Sequence, residues 1–270
     1  YDGNNWRQID TESTCTTNTV DYPTTNTAYY KLDSTAQDQT TNNYDGTETN
    51  ITYCNGQEYS QGAVFNGSNS YITLPVGLGT SGDRTRSFWV KVNNLDAVTT
   101  ALYIGDLTAN AYYETVNIRT TGVVRYQERY DNAVGDTTLD SSSSIQTNTW
   151  NHIAYVFSGS TRTLYLNGAQ VGQTTSSYSA VDNSSYGGYI GGFGGANNPP
   201  IGIVNGKMDQ FRFFSSELTS AQITELYNEV QCPCTTNNND NPTTNVAYYK
   251  LDGNANDATN TYSGTWSETE

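Results

Sequence analysis

Residues 150–172 read WNHIAYVFSGSTRTLYLNGAQVG and carry the clearest strand and turn signals of the chain. Residues 150–157 are apolar or aromatic on both faces, as expected for a central strand covered on both sides. Two shorter β-prone runs, residues 163–166 and 169–171, flank Asn167-Gly168. Because Asn-Gly tolerates the positive φ angles of a tight turn, the stretch predicts a strand followed by a β-hairpin.

Runs of alternating apolar and polar residues surround this hairpin. In residues 87–92, SFWVKV, the side chains of Phe88, Val90 and Val92 share one face, which is the period-2 pattern of a half-buried strand. We predict further strands at residues 27–33, 101–105, 114–119, 123–128 and 207–214. The serine run at residues 141–144 is predicted to form a loop.

Near the end of this region the spacing of apolar residues changes from alternation to a helical period. Thr219 with Gln222 fits a capping box, and Ile223, Leu226 and Tyr227 have helical spacing. We therefore predict one short helix at residues 220–228. Regularly spaced strands, turn signals between them and one terminal helix predict an all-β fold: an antiparallel sandwich of two sheets with a short C-terminal helix.

An internal repeat defines the domain organisation. Residues 23–33, PTTNTAYYKLD, return as residues 242–252, PTTNVAYYKLD, with ten of eleven positions identical. A period this long corresponds to a whole domain. We predict four segments, namely an N-terminal segment and linker (1–26), the sandwich (27–230), a second linker (231–245) and a final segment (246–270).

Two interpretations of the final segment remain open. In the first, residues 246–270 begin a second repeat in a covalent tandem array. In the second, they form a strand that pairs with a sheet of the next copy. Because such a head-to-tail contact does not close on itself, it produces filaments. Both interpretations predict copies of the same chain as partners in an extended assembly.

The composition excludes some partners. The chain has 27 acidic and 12 basic residues and a formal net charge of −15. Nucleic acid is excluded as a partner, because phosphate neutralisation requires clustered Lys and Arg. The chain also has no apolar run of about 18 residues, so it is not expected to insert into a membrane. A neutral-polar, acidic surface of this kind suits an extracellular protein.

Four cysteines lie in or near predicted turns and linkers, namely Cys15, Cys54, Cys232 and Cys234. With one His in the chain and a Cys-Pro-Cys spacing, zinc is a poor interpretation, and disulfides in an oxidising compartment are the better one. Cys15 and Cys54 could pair with each other or with the two C-terminal cysteines. A bridge between neighbouring copies is a third arrangement.

The order of several motifs resembles a known family. AYYKLD, GAVFNGSNSYITLP, RSFWVKV, the stretch quoted first and GKMDQFRFFSSELTSAQITELYNE follow one another as in the concanavalin A-like, laminin G-like domains of secreted bacterial and phage adhesion proteins. The resemblance covers roughly residues 27–230. It implies a jelly-roll sandwich of two curved antiparallel sheets. Such domains bind sugars or proteins, so the fold alone does not define the function.

The resemblance also implies a structural calcium ion at a sheet edge. Ca²⁺ takes six to eight oxygen ligands. The candidate donors are Asp33 and Asp38 on the first loop, Asn66 in the FNG turn and Asp209 on the last strand. We expect the first and last strands to be adjacent, which would bring these residues together. The alternative is that the aspartates cap turns.

Sugar binding requires exposed aromatic rings beside polar groups. The candidate platforms are Tyr112, Tyr113, Tyr126, Tyr130 and Tyr186, and ordinary sheet tyrosines are the alternative. Related sandwich glycosidases carry an E-x-D-x-x-E strand, which this chain lacks. Glu114 and Glu128 are isolated on their strands, and His152 fits a packing role. We therefore predict no catalytic residues and no enzyme.

Asn50, Asn66 and Asn183 fit the N-glycosylation pattern, although such matches arise by chance in an Asn- and Thr-rich chain. The sequence thus favours an extracellular structural or adhesive protein, a repeat or subunit of a fibre of laminin G-like domains. A glycan-binding module of a phage tail fibre or cell-surface adhesin is the main alternative. An accessory domain of a secreted glycosidase is the third.

Overall fold

The computed structural model describes seven segments of the chain, which are residues 26–53, 62–78, 82–108, 112–129, 136–176, 186–195 and 198–228. All of them lie within one compact unit, Cys15–Gln231. The four cysteines, Asn183, Tyr130 and the second copy of the repeat fall outside the described residues.

Fifteen strands and one helix occur in these segments. In chain order they are β1 (Asn26–Tyr30), β2 (Thr47–Thr49), β3 (Thr52–Tyr53), β4 (Ala63–Asn66), β5 (Tyr71–Leu74), β6 (Arg84–Val92), β7 (Thr99–Gly105), β8 (Tyr113–Ile118), β9 (Val123–Arg129), β10 (Thr137–Ser144), β11 (Asn151–Ser158), β12 (Thr161–Leu166), β13 (Ala169–Thr175), β14 (Gly187–Ile190), β15 (Asn205–Phe214) and α1 (Ser220–Asn228).

The described strands form two antiparallel sheets. The first sheet has the order β13-β12-β11-β6-β15-β4-β3, and β1 also pairs with β15. The second sheet has the order β10-β9-β8-β7-β14-β5-β2. Their inner faces share one apolar core, so the predicted all-β sandwich with one short helix is confirmed.

The hairpin predicted from Asn167-Gly168 is confirmed. β12 ends at Leu166 and β13 begins at Ala169, so the turn has two residues. Asn167 and Gly168 have φ angles of 52° and 77°, which are the positive values that this turn requires. β11 pairs with β12 on one side and with β6 on the other, and its two faces pack on the core and on the cluster that includes α1, so residues 151–157 are all buried.

The alternation predicted for residues 87–92 is also confirmed. Phe88, Val90 and Val92 point into the core, where Phe88 stacks on Phe211 with ring centroids 4.5 Å apart. The predicted adjacency of the first and last strands holds as well, because β1 pairs with β15 and places Tyr29 opposite Arg212.

The helix has the predicted bounds and the predicted cap. Thr219 N donates to Gln222 Oε1 (2.9 Å), and Gln222 N donates to Thr219 Oγ1 (3.3 Å), which completes the capping box. Ile223 and Leu226 bury their side chains on the outer face of the first sheet. There they form a second, smaller apolar cluster with Ala154, Val156, Tyr165, Phe214 and Leu218.

The loop predicted at residues 141–144 is wrong. These serines belong to β10, the edge strand of the second sheet, which pairs with β9. Most of β10 is exposed, so the strand carries few of the apolar residues that would have marked it in the sequence.

Candidate functional site

Charged side chains cross the inside of the sandwich. Arg84 and Arg86 point inward from β6 of the first sheet, and Glu114 points inward from β8 of the second. Arg84 Nη2 lies 2.7 Å from Glu114 Oε2, and Arg86 Nε lies 3.7 Å from Glu114 Oε1. The hydroxyl of Tyr155 donates to Glu114 Oε1 at 3.0 Å. The two sheets are therefore joined by an ionic cluster as well as by apolar contacts.

A second pair lies beside the first. Arg162 Nη2 on β12 lies 3.1 Å from Glu128 Oε1 on β9, and the Tyr126 hydroxyl donates to Glu128 Oε2 at 2.6 Å. The guanidinium groups of Arg84 and Arg162 lie over the Phe157 ring. Their Cζ atoms are 3.8 Å and 4.3 Å from the ring centroid. Such cation–π contacts help to offset the loss of water around buried cations.

These contacts bury Glu114 and Glu128, so the two carboxylates do not form an exposed acid–base pair. The two residues are opposite each other on β8 and β9, a proximity that the sequence did not reveal. Each is at most 2% exposed and bound to arginine. Burial alone would raise the pKa of Glu114, but the charges of Arg84 and Arg86 outweigh burial and hold this pKa below its usual range.

His152 lies under the helix and not at a surface. It is 1% exposed, and its ring lies beside Trp89 (5.2 Å) and Tyr227 (6.2 Å). His152 Nε2 and Ser87 Oγ are hydrogen-bonded at 2.7 Å. Burial, followed by the charge of Arg212, lowers the pKa of His152 to about 3. The neutral ring is thus part of the packing, as the sequence predicted.

An open groove lies on the outer face of the second sheet. It has a volume of about 330 Å³, at the small end of the size range of ligand pockets. Its floor consists of outward-facing residues of β7, β8 and β9, including Thr100 and Tyr113. Since its floor is built on paired strands, the groove has a fixed shape.

One wall of the groove is apolar. It consists of Val98, which precedes β7, and of Phe193 and Ile201, which follow β14. Val98 is 46% exposed and Ile201 is 55% exposed, so both offer apolar surface to the groove. Reciprocal backbone hydrogen bonds between Phe193 and Ile201 hold this wall in place. Gly202 completes the lining.

The opposite wall is polar and has fixed side chains. Asn117 Oδ1 accepts from Thr100 Oγ1 (2.8 Å), and its Nδ2 donates to Thr115 Oγ1 (2.9 Å). Gln127 Nε2 donates to the Tyr113 hydroxyl at 3.1 Å and also to Asp136. These amides are oriented before any ligand arrives, which reduces the entropic cost of binding.

Two ion pairs flank the polar wall. Arg129 Nε donates to Asp136 Oδ1 at 2.7 Å, and Arg125 binds both oxygens of Asp140, at 2.6 and 2.7 Å. Partial burial alone would raise the pKa of Asp136, but hydrogen bonds from Arg129 and Gln127 outweigh it and lower the pKa. Hydrogen bonds from Arg125 lower the pKa of Asp140.

The predicted tyrosine platforms have different environments. Tyr126 is a core residue, so its prediction as an exposed platform is wrong. Tyr113 forms part of the groove floor, and Tyr112 stacks on Tyr186 with centroids 6.1 Å apart. The sequence missed the groove itself. Its signal was that Asn117, Arg125 and Gln127 occupy strand positions of opposite parity to the core residues.

The predicted calcium ligands do not all meet. Asp38 accepts hydrogen bonds from the backbone N–H of Tyr29, Thr40 and Tyr44, so it acts as a turn cap. Asp33 lies exposed on the same loop, as predicted.

Asn66 and Asp209 lie far apart on two paired strands, β4 and β15. Asn66 is opposite Asn205 on β15, four positions from Asp209 and therefore about 13 Å away along the strand. Within the seven described segments, no group of three or more acidic, His or Cys side chains could hold a metal. Calcium binding by Asp33, Asp38, Asn66 or Asp209 stays a prediction, which calorimetry with Ca²⁺ after EDTA treatment tests.

Two of the three predicted glycosylation sites can be located. Asn50 and Asn66 are exposed, and each donates its side-chain amide to Asn69. Their modification stays a prediction, as do the disulfides of the four cysteines. In the described part of the chain, no helix is long and apolar enough to cross a membrane.

The two antiparallel sheets and their shared core define a β-sandwich domain. The family model of the concanavalin A-like lectin/glucanases superfamily matches residues 66–224, more than half of the 270-residue chain. The chain belongs to this superfamily, which confirms the resemblance seen in the sequence. No curated protein matches the chain significantly.

Several solved structures share the fold. Domain 4 of AbnA, a GH43 extracellular arabinanase from Geobacillus stearothermophilus solved with arabinotriose, has a TM-score of 0.60 and 24% identity, covering 75% of this chain and 98% of that domain. CBM40 of the Ruminococcus gnavus IT-sialidase, bound to α2,3-sialyllactose, has a TM-score of 0.50 and 14% identity, covering 55% and 84%.

The receptor-binding domain of botulinum neurotoxin D also matches. Its TM-score is 0.54 and its identity is 17%, covering 76% of this chain and 52% of the toxin domain. This chain therefore spans about half the length of that domain. At these identities the likeness concerns the fold and no further property.

Proposed function

We propose that this chain is an extracellular, non-catalytic glycan-binding module and that the groove on the second sheet holds the sugar. The proposal rests on one observation: the groove has an apolar wall on one side and a polar wall on the other. Exposed Val98 and Ile201 face a wall of fixed amides and guanidinium groups across a rigid floor. This combination of apolar surface and few placed polar groups is typical of small-ligand sites.

The chemistry of a sugar ring fits such a groove. A ring presents C–H groups on its faces and hydroxyls around its edge. The C–H groups would lie against Ile201 and Phe193, while the hydroxyls would bond to Asn117 and Gln127. Because a hydroxyl both donates and accepts, it can use the remaining capacity of side-chain amides.

The comparisons support the proposal at the level of fold. The arabinanase domain was solved with arabinotriose and the CBM40 module with sialyllactose. Both are sandwiches of the same kind, whose likeness to this chain concerns the backbone. The burial of Glu114 and Glu128 in ion pairs also supports a role in binding and not in glycoside hydrolysis.

A glycan array with the full chain tests the proposal. We expect binding to a defined set of glycans, and calorimetry with the best of them gives the affinity. Ile201→Ser removes the more exposed of the two aliphatic side chains in the apolar wall and does not alter the backbone groups that bond to Phe193. We expect at least about fivefold weaker binding, because about 1 kcal/mol of apolar contact is lost.

Val76→Ser is the matched control. Val76 is 61% exposed, also large and apolar, and does not line the groove. Its substitution should leave glycan affinity unchanged. A folded chain that binds no glycan overturns the proposal, and equal losses in both variants show that the sugar binds elsewhere.

The internal repeat favours a second role. The recurrence of residues 23–33 at 242–252 supports a repeat or subunit of an extracellular fibre, with copies of the chain linked covalently or by strand pairing. Linked modules would also bind multivalent glycan surfaces more strongly than one module.

Electron microscopy of the purified native protein, together with its intact mass, tests this role. Filaments built from subunits of about one chain's mass support strand-linked assembly. Discrete particles of single-chain mass contradict the fibre role and leave glycan binding unaffected.

A further inference from the structure

Arg119 lies at one end of the groove, directly after β8, and lines it together with Arg125. Its backbone N–H donates to Val123 O, which fixes the turn that carries it. The side chain is only partly exposed. Among the residues that the structure describes, no acidic side chain lies within 4 Å of its guanidinium and none accepts a hydrogen bond from it.

The other groove arginines differ in this respect. Arg125 is held by both oxygens of Asp140, and Arg129 is held by Asp136. Asp140 is thus already committed to Arg125, although the nearby charge of Arg119 adds to the lowering of its pKa. This end of the groove therefore has two guanidinium groups for one carboxylate.

This local charge contrasts with the rest of the chain. The sequence has a net charge of −15 and only 12 basic residues. Three of its arginines are used inside the core, where Arg84, Arg86 and Arg162 are bound to buried glutamates. Arg119 instead lies in an open groove, where no described carboxylate pairs with it, and a bound anion would supply a counter-charge.

We infer that the groove selects a carboxylated sugar and that Arg119 binds its carboxylate. The inference rests on the proposed glycan-binding function. A guanidinium presents parallel N–H donors whose spacing matches the two oxygens of a carboxylate. With the carboxylate at Arg119, the ring can extend along the floor toward Ile201 and Phe193, which line the same groove. Uronic and sialic acids both provide this chemistry.

The test uses the full chain on an array that carries uronic-acid oligosaccharides, sialylated oligosaccharides, sulfated glycans and the matched neutral forms. Binding should favour one carboxylated class, and the class identifies the source of the carboxylate. The carboxyl-reduced form of the best ligand should bind at least about tenfold more weakly, as should the Arg119→Gln variant with the intact ligand.

Lys31→Gln is the charge-matched control. Lys31 is exposed beyond β1 of the first sheet and does not line the groove. If Lys31→Gln weakens binding as much as Arg119→Gln does, the effect is long-range charge and the inference fails. Binding of neutral or sulfated glycans alone, unaffected by Arg119→Gln, also overturns it and leaves the proposed function intact. The absence of all glycan binding overturns both.

Discussion

At the scale of single residues, the buried ionic cluster makes the sharpest stability prediction. Glu114→Gln keeps the shape of the side chain but leaves Arg84 and Arg86 without a counter-charge in the core. Removing one partner of a buried ion pair costs about 3–5 kcal/mol. We therefore expect a loss of this size in the free energy of unfolding, measured by urea denaturation.

Asp140→Asn is the control for Glu114→Gln. Asp140 pairs with Arg125 at a similar distance, but its side chain is 44% exposed. Exposed pairs contribute at most about 1 kcal/mol, so the control should lose far less stability. Equal losses in the two variants would show that burial of the cluster has little energetic importance.

His152 gives a prediction about pH. Its pKa is about 3 in the folded chain and about 6.5 when unfolded. Between these values the unfolded chain binds a proton that the folded chain does not, so stability falls as pH decreases through this window. At pH 4.5 the loss due to His152 should be about 2–3 kcal/mol.

The measurement is the unfolding free energy of the natural chain and of His152→Gln at several pH values. Because carboxylates also titrate there, the difference between the two proteins is the relevant quantity. The natural chain should lose more stability between pH 7 and 4.5. Parallel curves would contradict a neutral, buried imidazole.

The sequence could predict some of these residues. The inward positions of Phe88 and Val90 follow from alternation, and the same parity places Arg86 and Arg84 inward. Arginines are normally assigned to the surface, so the alternation alone is not enough to predict that Arg84 and Arg86 point inward. The partners could not be found, because Arg84 and Glu114 are 30 positions apart and meet only when the two sheets pack.

At the scale of elements, the hairpin turn and the helix depend on each other. A Cβ on Gly168 would lie 2.9 Å from the Tyr227 ring of α1, and Gly168 has a φ of 77°. Gly168→Ala should therefore combine backbone strain of about 1–2 kcal/mol with a further cost of about 1–3 kcal/mol from overpacking. Thermal unfolding measures the sum.

Gly159→Ala separates the two costs. Gly159 also has a positive φ, of 56°, but a Cβ there would meet no atom within 4 Å. This variant should show the strain alone. If Gly168→Ala is no more destabilising than Gly159→Ala, the helix does not restrain the turn.

The strands, turn and helix that could be predicted are those marked by a short sequence pattern. The Asn167-Gly168 turn, the strand at residues 87–92 and the helix with its Thr219 cap all follow from short patterns. β10 was missed because its exposed face is serine-rich. The groove was missed because its walls come from β7, β8, β9 and the segment after β14, whose proximity depends on sheet order.

At the scale of the whole molecule, the net charge of −15 should oppose folding at low salt. Salt screens repulsion between exposed carboxylates, while the ion pairs inside the sandwich are shielded from it. We expect the melting temperature to rise as NaCl increases from about 10 to 150 mM, as measured by calorimetry. A fall would mean that exposed pairs such as Arg125–Asp140 contribute more than the overall repulsion.

The pairing of β1 with β15 has a mechanical consequence. The start of β1, Asn26, is opposite Phe214 at the end of β15, so the chain enters and leaves this antiparallel ladder at the same end. Tension applied through these two residues pulls them apart across the ladder. The hydrogen bonds of the ladder then break one after another, so each bond bears the applied force in turn. A sandwich held in this way yields to a small force, and a tethered protein would absorb sudden pulling by opening its first strand.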